Sequence, residues 1–385
     1  MFCSDEFEKK QLVIKAGILL SQKGLVERTW GNVSVRLDEG HFAISPSGAL
    51  YAKLKPGDVP VVNLKSLAFV GTKKPSSELL IHSSIYKTYP KASFILHTHQ
   101  RFASLLSLFF SNKHGFIKAL NENVLRDGVP IAEYAQGGTK KIAENVINAI
   151  ASLGGEALFR SSGIVLMAAH GVVCFASSFD EAFNLVLALE DFAKTLVLNT
   201  LKKHEILLES SGELHTYARS SFFGSVKEPQ LNRLCLLIFN EIADVSFITL
   251  STLPTSQYVS KKLEVGAFPT ETGLVLKEIP TYFDDAAQIL GAATIVISNA
   301  GDIDFLQKHY KEIFEKSNAL IVIGVGVLFF SHSRDETLYM ASIFEKNALS
   351  FLLSLHIETI KPLKKENAMA LHSSFIQGYS KLKDV

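Results

Sequence analysis

Apolar residues Leu12, Ile14, Ala16, Ile18, Leu19 and Leu20 predict an opening helix over residues 6–24. After it the apolar runs shorten and are broken by Gly, Pro and Ser, which predicts strands at 33–37, 41–44 and 59–63. A helix is expected over 77–88, stopping at Pro90, followed by a strand at 94–99. Helices at 138–152 and 178–200 and strands at 164–169 and 172–175 complete the first half. Strands and helices interleave, so the class is α/β. The hairpin-like strand pairs argue against a purely parallel sheet.

The pattern recurs. Residues 161–198, slid forward by 155 positions, fall on 316–353 with 10 of 38 positions identical. Gly171 lands on Gly326, Val172 on Val327, Phe175 on Phe330, Ser178 on Ser333, Asp180 on Asp335, Glu181 on Glu336, Glu190 on Glu345 and Ala193 on Ala348. Both stretches read apolar strand, glycine, apolar strand, then a helix opened by a Ser-x-x-Glu capping box. A duplicated domain is therefore expected. The expected organisation is a first domain over 1–205, a polar linker over 206–230, a second α/β domain over 231–360 and a polar tail over 361–385.

The 385-residue length suits two domains, and 47% hydrophobic residues supply cores with surplus for an oligomer interface. The net charge is +1 with both signs mixed along the chain, so neither a nucleic-acid stripe nor a polybasic membrane anchor is expected. The N-terminus carries acids where a signal peptide needs a basic start. The longest apolar stretch, 319–330, has 12 residues, whereas a membrane-spanning helix needs about 20. Cys3, Cys174 and Cys235 have neither pairing nor metal spacing, which fits a reducing compartment. The expectation is a soluble cytoplasmic protein.

Chemistry concentrates in the first half. His97 and His99 lie two apart on one strand, so they share a face at roughly 6.6 Å, and two imidazoles at that spacing can lean onto one ion. His170 ends an apolar run and precedes Gly171. The repeat has Val325 there, so packing does not require the imidazole. Three neutral imidazoles leave a tetrahedral divalent ion with one open position, the pattern of a catalytic zinc. Pro75-Ser76-Ser77-Glu78 opens the helix of 77–88. The serines and the acid suit a capped start, and the same start can bind an anion with Glu78 projecting at the ion. Gly31-Asn32 and Ser45-Pro46-Ser47-Gly48 read as turns that could join that anion site. Asp284-Asp285 reads either as a helix start or as part of a site.

Taken in order, Gly31-Asn32-Val33-Ser34-Val35-Arg36, Ser45-Pro46-Ser47-Gly48, Lys74-Pro75-Ser76-Ser77-Glu78, His97-Thr98-His99 and His170-Gly171 resemble the motifs of the class II aldolase/adducin family. So does Val129-Pro130-Ile131-Ala132-Glu133-Tyr134 with Gly137-Gly138-Thr139. The resemblance covers about residues 8–200. It implies a three-layer α/β/α fold around a mainly antiparallel sheet, here duplicated. It implies zinc or another divalent ion on His97, His99 and His170, with Glu78 as the acid–base group, whose pKa would then need raising towards neutrality. It places a phosphate on Gly31, Asn32, Ser47, Gly48, Ser76 and Ser77. The activity implied is a metal-dependent lyase that cleaves a phosphorylated ketose to an enediolate-derived ketone phosphate and an aldehyde. Pentulose-phosphate 4-epimerase, sugar-phosphate dehydratase and a non-catalytic adducin-like binding module are the alternatives. The three histidines weigh against the last.

The chain departs from the family's aldolases at the proton donor. The place of their tyrosine falls near Ala119, and no tyrosine lies between Tyr89 and Tyr134. The second copy retains none of the metal histidines. It is expected to stand in for a neighbouring subunit in a homo-oligomer, with Tyr258, Tyr282 or Tyr310 as candidate donors.

Overall fold

The computed structural model describes residues 2–27, 29–109, 116–117, 129–152, 154, 161–222, 226–263, 268–270, 273–275, 278–297, 302–314 and 316–379. These divide into two compact units, with the boundary between Thr200 and Leu201. No helix among the described residues is long and apolar enough to cross a membrane.

The first unit runs α1 (Phe2–Gln22), β1 (Asn32–Arg36), β2 (His41–Ile44), β3 (Val61–Asn63), β4 (Phe69–Val70), α2 (Leu79–Thr88) and β5 (Phe94–Thr98). It continues with α3 (Arg101–Phe109), β6 (Phe116–Ile117), β7 (Val129–Ala132), α4 (Lys140–Ala151), β8 (Gly163–Met167), β9 (Gly171–Ala176) and α5 (Phe179–Lys203). Its nine-stranded sheet has the order β4-β3-β2-β1-β5-β9-β8-β7-β6. Neighbours are antiparallel except β7 and β8. Both faces are covered, which explains why β8, β9 and the first three residues of β5 are apolar. Val33, Val35, Leu96, Val172 and Cys174 pack with α1, α3 and α5. Ile95, Val165, Val173 and Phe175 pack with Ile81 and Ile85 of α2 and Ile142 and Val146 of α4. Alternation along β5 therefore aims His97, which has the parity of Ile95, at the α2 side.

The second unit comprises β10 (Leu214–Ala218), α6 (Pro229–Glu241), β11 (Phe247–Ser251), α7 (Pro254–Lys262), β12 (Phe268–Thr270), β13 (Gly273–Val275) and β14 (Glu278–Pro280). Then follow α8 (Asp284–Leu290), β15 (Ala293–Ile297), α9 (Asp302–Phe314), β16 (Ala319–Val322), β17 (Gly326–Ser331), α10 (Arg334–Ser354) and α11 (Lys365–Ser374). Two sequence expectations change here. The supposed linker carries β10, a full strand of the second sheet paired with β11. The supposed polar tail carries α11, whose Ala368 and Leu371 are buried against Ala287.

The second sheet has the order β10-β11-β17-β16-β15-β14, with β15 and β16 its parallel pair. That is the order of β1-β5-β9-β8-β7-β6 in the first unit, with the parallel pair at the same place. Finer contacts agree as well. Thr98 faces Val172 as Ser251 faces Val327. The Glu190 carboxylate accepts from the amides of Phe102 and Ala103 at 3.0 and 2.8 Å, and Glu345 does the same for Thr255 and Ser256 at 2.9 and 2.7 Å. Arg36 donates to the carbonyls of Ala92 and Tyr89 at 2.8 and 3.3 Å. Arg219 donates to those of Val245 and Ile242 at 2.7 and 2.6 Å.

Candidate metal and acid–base site

Three elements of the first unit bring the histidines together. His97 is the fourth residue of β5, and His99 lies just past the end of that strand. His170 sits in the tight turn between β8 and β9. That turn requires Ala169 to adopt a left-handed conformation (φ 55°), which L-residues other than glycine rarely take. Its amide donates to the Ser107 hydroxyl at 3.2 Å. The matching residue of the second unit is Gly324, at φ 77°. Gly171 is needed for another reason. A Cβ there would lie 2.4 Å from the Thr98 carbonyl oxygen, 3.2 Å from His97 Cε1 and 3.4 Å from His99 Cδ2.

The three imidazoles are buried with ring centroids 4.7–5.1 Å apart, and one ligand atom from each lies within 4.8 Å of the others. Among the described residues it is the one such His/Cys/Asp/Glu cluster. Tetrahedral ligation at about 2.1 Å places nitrogens about 3.4 Å apart, so the rings must close by up to about 1.4 Å to complete a coordination shell. The His97 Nδ1–H donates to the Val172 carbonyl at 2.9 Å, which leaves Nε2 as the lone-pair nitrogen facing inward. His97 Nε2 is 2.9 Å from His99 Nε2 and 2.9 Å from Glu78 Oε2. A neutral His97 therefore turns a lone pair towards a carboxylate at hydrogen-bond distance. A cation between them resolves that conflict, so the donor set fits a divalent metal.

Glu78 immediately precedes α2, is buried, and sets Oε1 2.8 Å from His170 Nε2. Its amide donates to the Ser76 hydroxyl at 3.3 Å. The raised pKa expected for an acid–base glutamate is not found in this arrangement. Burial opposes ionisation, but the imidazoles of His97 and His170 outweigh it and hold the carboxyl well below its usual range. Gly137 also lines the site: a Cβ there would be 2.8 Å from His170 Cε1 and 3.2 Å from Glu78 Oε1.

The segments expected to hold an anion lie side by side. The Ser45 amide donates to the Val33 carbonyl, Ser76 to Ser45, and Ser47 to Lys74, at 2.9–3.0 Å. Gly31 and Gly48 hold positive φ (106° and 69°) within these turns. Ser77 is exposed and Ser76 buried. Asn32 differs from the expectation, because its side chain is bonded to Glu78 Oε2 at 2.9 Å. Beyond it stands His82, which the sequence reading missed. His82 is buried, and its imidazole meets Asn32 Oδ1 on one side and the Ser34 hydroxyl on the other, the latter at 2.6 Å. Its position four residues after Glu78, on the same helix face, was the available signal.

The place expected for the aldolase tyrosine, near Ala119, lies outside the described residues. Tyr282 is no accessible donor, since it is buried in the second unit with its hydroxyl 2.8 Å from Ser354 Oγ. Tyr258 and Tyr310 are partly exposed. Asp285 forms a buried ion pair with Lys346 at 2.5 Å, and Asp284 beside it is buried too.

Residues 11–197 match the family model described as the class II aldolase and adducin N-terminal domain. The chain is 33% identical over 196 residues to the methylthioribulose-1-phosphate dehydratase of Methylococcus capsulatus, covering 48% of this chain and 91% of that protein. It is 29% identical over 216 residues to the 5-deoxy-D-ribulose 1-phosphate aldolase of Bacillus thuringiensis serovar kurstaki, covering 55% and 94%. It is 29% identical over 198 residues to the L-fuculose phosphate aldolase of Methanocaldococcus jannaschii, covering 51% and 99%. A relative one-third identical and matched over nine-tenths of its length, together with three histidines and a glutamate assembled as that family's motifs imply, leads to one conclusion: the chain belongs to the class II aldolase and adducin family.

Proposed function

We propose that the protein is a divalent-metal-dependent lyase acting on a phosphorylated ketose, with its reaction centre in the first unit. The observation that carries this reading is the Glu78 carboxylate held 2.8–2.9 Å from His170 and His97 beside three convergent imidazoles. His97, His99 and His170 would hold zinc or a similar ion, which when bound supplies Lewis-acid stabilisation of the enediolate charge. Glu78, ionised at the start, would take up the proton that the substrate hydroxyl loses on cleavage and return it to the carbon that carries this charge. The amides of Gly31, Gly48 and Ser77 and the hydroxyls of Ser47, Ser76 and Ser77 would bind the phosphate, with no lysine needed.

Cleavage to a ketone phosphate and an aldehyde is the leading reaction. Dehydration of a sugar phosphate is the second reading. It is supported by the similarity to a dehydratase and by the lack of any tyrosine between Tyr89 and Tyr134 to protonate an aldehyde oxygen. Zinc-loaded protein given a panel of ketose 1-phosphates should release an aldehyde and a ketone phosphate. Loss of water without carbon–carbon cleavage would select the second reading, and no turnover of any ketose phosphate would overturn the proposal.

The second unit, on this account, is a duplicated copy without the metal site. At the places of Glu78, His97, His99 and His170 it carries Leu231, Leu250, Thr252 and Val325. The 47% share of hydrophobic residues supports a homo-oligomer, which light scattering on the full chain would test.

A further inference from the structure

A single polar chain leads away from Glu78 through the first unit. The Asn32 amide nitrogen donates to Glu78 Oε2 at 2.9 Å, which leaves Asn32 Oδ1 as the acceptor facing His82 Nε2. His82 must then carry its proton on Nε2, and its Nδ1 accepts the Ser34 hydroxyl proton at 2.6 Å. Ser34 Oγ in turn lies 2.9 Å from the Tyr86 hydroxyl, whose weaker alternative acceptor is the Ser93 carbonyl at 3.3 Å. Asn32, Ser34, His82 and Tyr86 are each at most 4% exposed. Every donor in the series points towards Glu78. The amide of Asn32 does not conduct a proton, so the series orients and does not relay.

The second unit serves as an internal control. Strand register and the shared arginine contacts place Tyr217 where the first unit has Ser34, Cys235 where it has His82, and Phe239 where it has Tyr86. The arginine itself persists. Arg36 lies 4.6 Å from the Tyr86 ring centroid and Arg219 lies 5.5 Å from that of Phe239. With His215 at the place of Asn32, the same backbone thus folds around an arginine anchor without the serine, histidine and tyrosine of the series. A buried histidine, serine and tyrosine are not demanded by packing here. They occur in the unit that has Glu78 and the three histidines.

We infer that His82 is a positioning residue for Glu78: by donating to Asn32 Oδ1 it locks the amide so that Nδ2 faces the carboxylate. Without that lock the amide can turn over and present an oxygen to Glu78, which repels it. Burial also keeps the imidazole neutral, with its pKa down at about 3, so the donor pattern does not change near neutrality. This rests on the proposed acid–base role of Glu78.

The test compares His82→Leu, His82→Gln and Ser34→Ala in the full-length, zinc-loaded protein, using the ketose 1-phosphate that wild type turns over best. Leucine keeps the volume and loses both polar contacts, whereas glutamine can restore a donor to Asn32 and an acceptor for Ser34. The expected result is a kcat loss of roughly 10–100-fold for His82→Leu, with zinc retained and KM within about twofold. His82→Gln should recover most of that loss. A purely structural role would not give a kcat loss that a polar replacement restores. A second readout needs no substrate: ¹⁵N spectra of histidine-labelled protein should show one neutral imidazole protonated on Nε2 whose Nδ1 signal moves in Ser34→Ala. If wild type turns over nothing, the lyase reading fails while the spectra still judge His82. An Nδ1-protonated His82, or wild-type kcat in His82→Leu, overturns the inference. Should His82→Leu fail to fold, the spectra of wild type and Ser34→Ala decide, with His82→Gln identifying the His82 signals by their loss.

Discussion

Adding one methyl group at Gly171 should empty the metal site, whereas the same change at Gly326 should not. In both places the glycine backbone crosses close to a neighbouring strand. A Cβ on Gly171 would be 2.4 Å from the Thr98 carbonyl oxygen, and one on Gly326 would be 2.5 Å from that of Ser251. Carbon–oxygen contacts settle at about 3.3 Å, so the strands must part by about 0.9 Å at Gly171 and about 0.8 Å at Gly326. Overpacking of this kind costs about 1–3 kcal/mol, or several degrees in Tm for a domain of this size. Gly326 also holds φ 151°, which strains an alanine further, so Gly326→Ala should be the more destabilising of the two. The displacement at Gly171 moves β5, which carries His97 and leads into His99, away from the turn that carries His170. In a formed site, metal–ligand distances hold to within about 0.2 Å of their usual values. Elemental analysis after dialysis, alongside thermal melting, separates the effects. Gly171→Ala should melt a few degrees lower and lose most of its zinc, and Gly326→Ala should melt lower still and keep it. Full zinc content in Gly171→Ala would refute the reasoning.

Glu78→Gln should keep the metal and lose roughly 10²–10⁴-fold in turnover, because the amide preserves shape without proton transfer. Near-normal rates would reduce Glu78 to a helix-start residue. His82 predicts an acid limb in stability. The unfolded chain binds a proton below the ordinary histidine pKa of 6.5, and the native chain does not until about pH 3, so stability falls across that window, by about 5 kcal/mol at most. His82→Gln should flatten the limb in urea titrations at successive pH values, and an unchanged slope would count against a buried neutral imidazole. In the second unit, Asp285→Leu leaves Lys346 unpaired in the core and should cost about 3–5 kcal/mol in urea unfolding, most of it recovered by adding Lys346→Met. A single-variant cost under about 1 kcal/mol would mean the pair is solvated.

The site was legible where chemistry-bearing residues sit at strand ends and helix starts. His97, His99, His170 and Glu78 have no packing reason to occur in their local patterns, and strand parity alone placed His97 and His99 on one face. His82 offered only its spacing from Glu78, because it sits among the apolar residues Ile81 and Ile85 of α2, where one polar residue reads as part of a core face. Its meaning emerges only when β1 lays Asn32 and Ser34 beside it. β10 was missed because it is an edge strand whose exposed Leu214 and His215 carry no clear alternation. The likeness between the two units was visible in the sequence over one strand–turn–strand–helix segment only. The intervals separating Gly171 from Gly326, Thr98 from Ser251, and Arg36 from Arg219 all differ, so no fixed slide of the sequence aligns them together.

The central claim is that the first unit holds one divalent ion on His97, His99 and His170 and the second unit holds none. Elemental analysis of the purified full-length chain tests it most directly. About one zinc or equivalent ion per chain is predicted, falling to near zero in His97→Ala combined with His170→Ala. Two ions per chain, or full occupancy in that double variant, would contradict it.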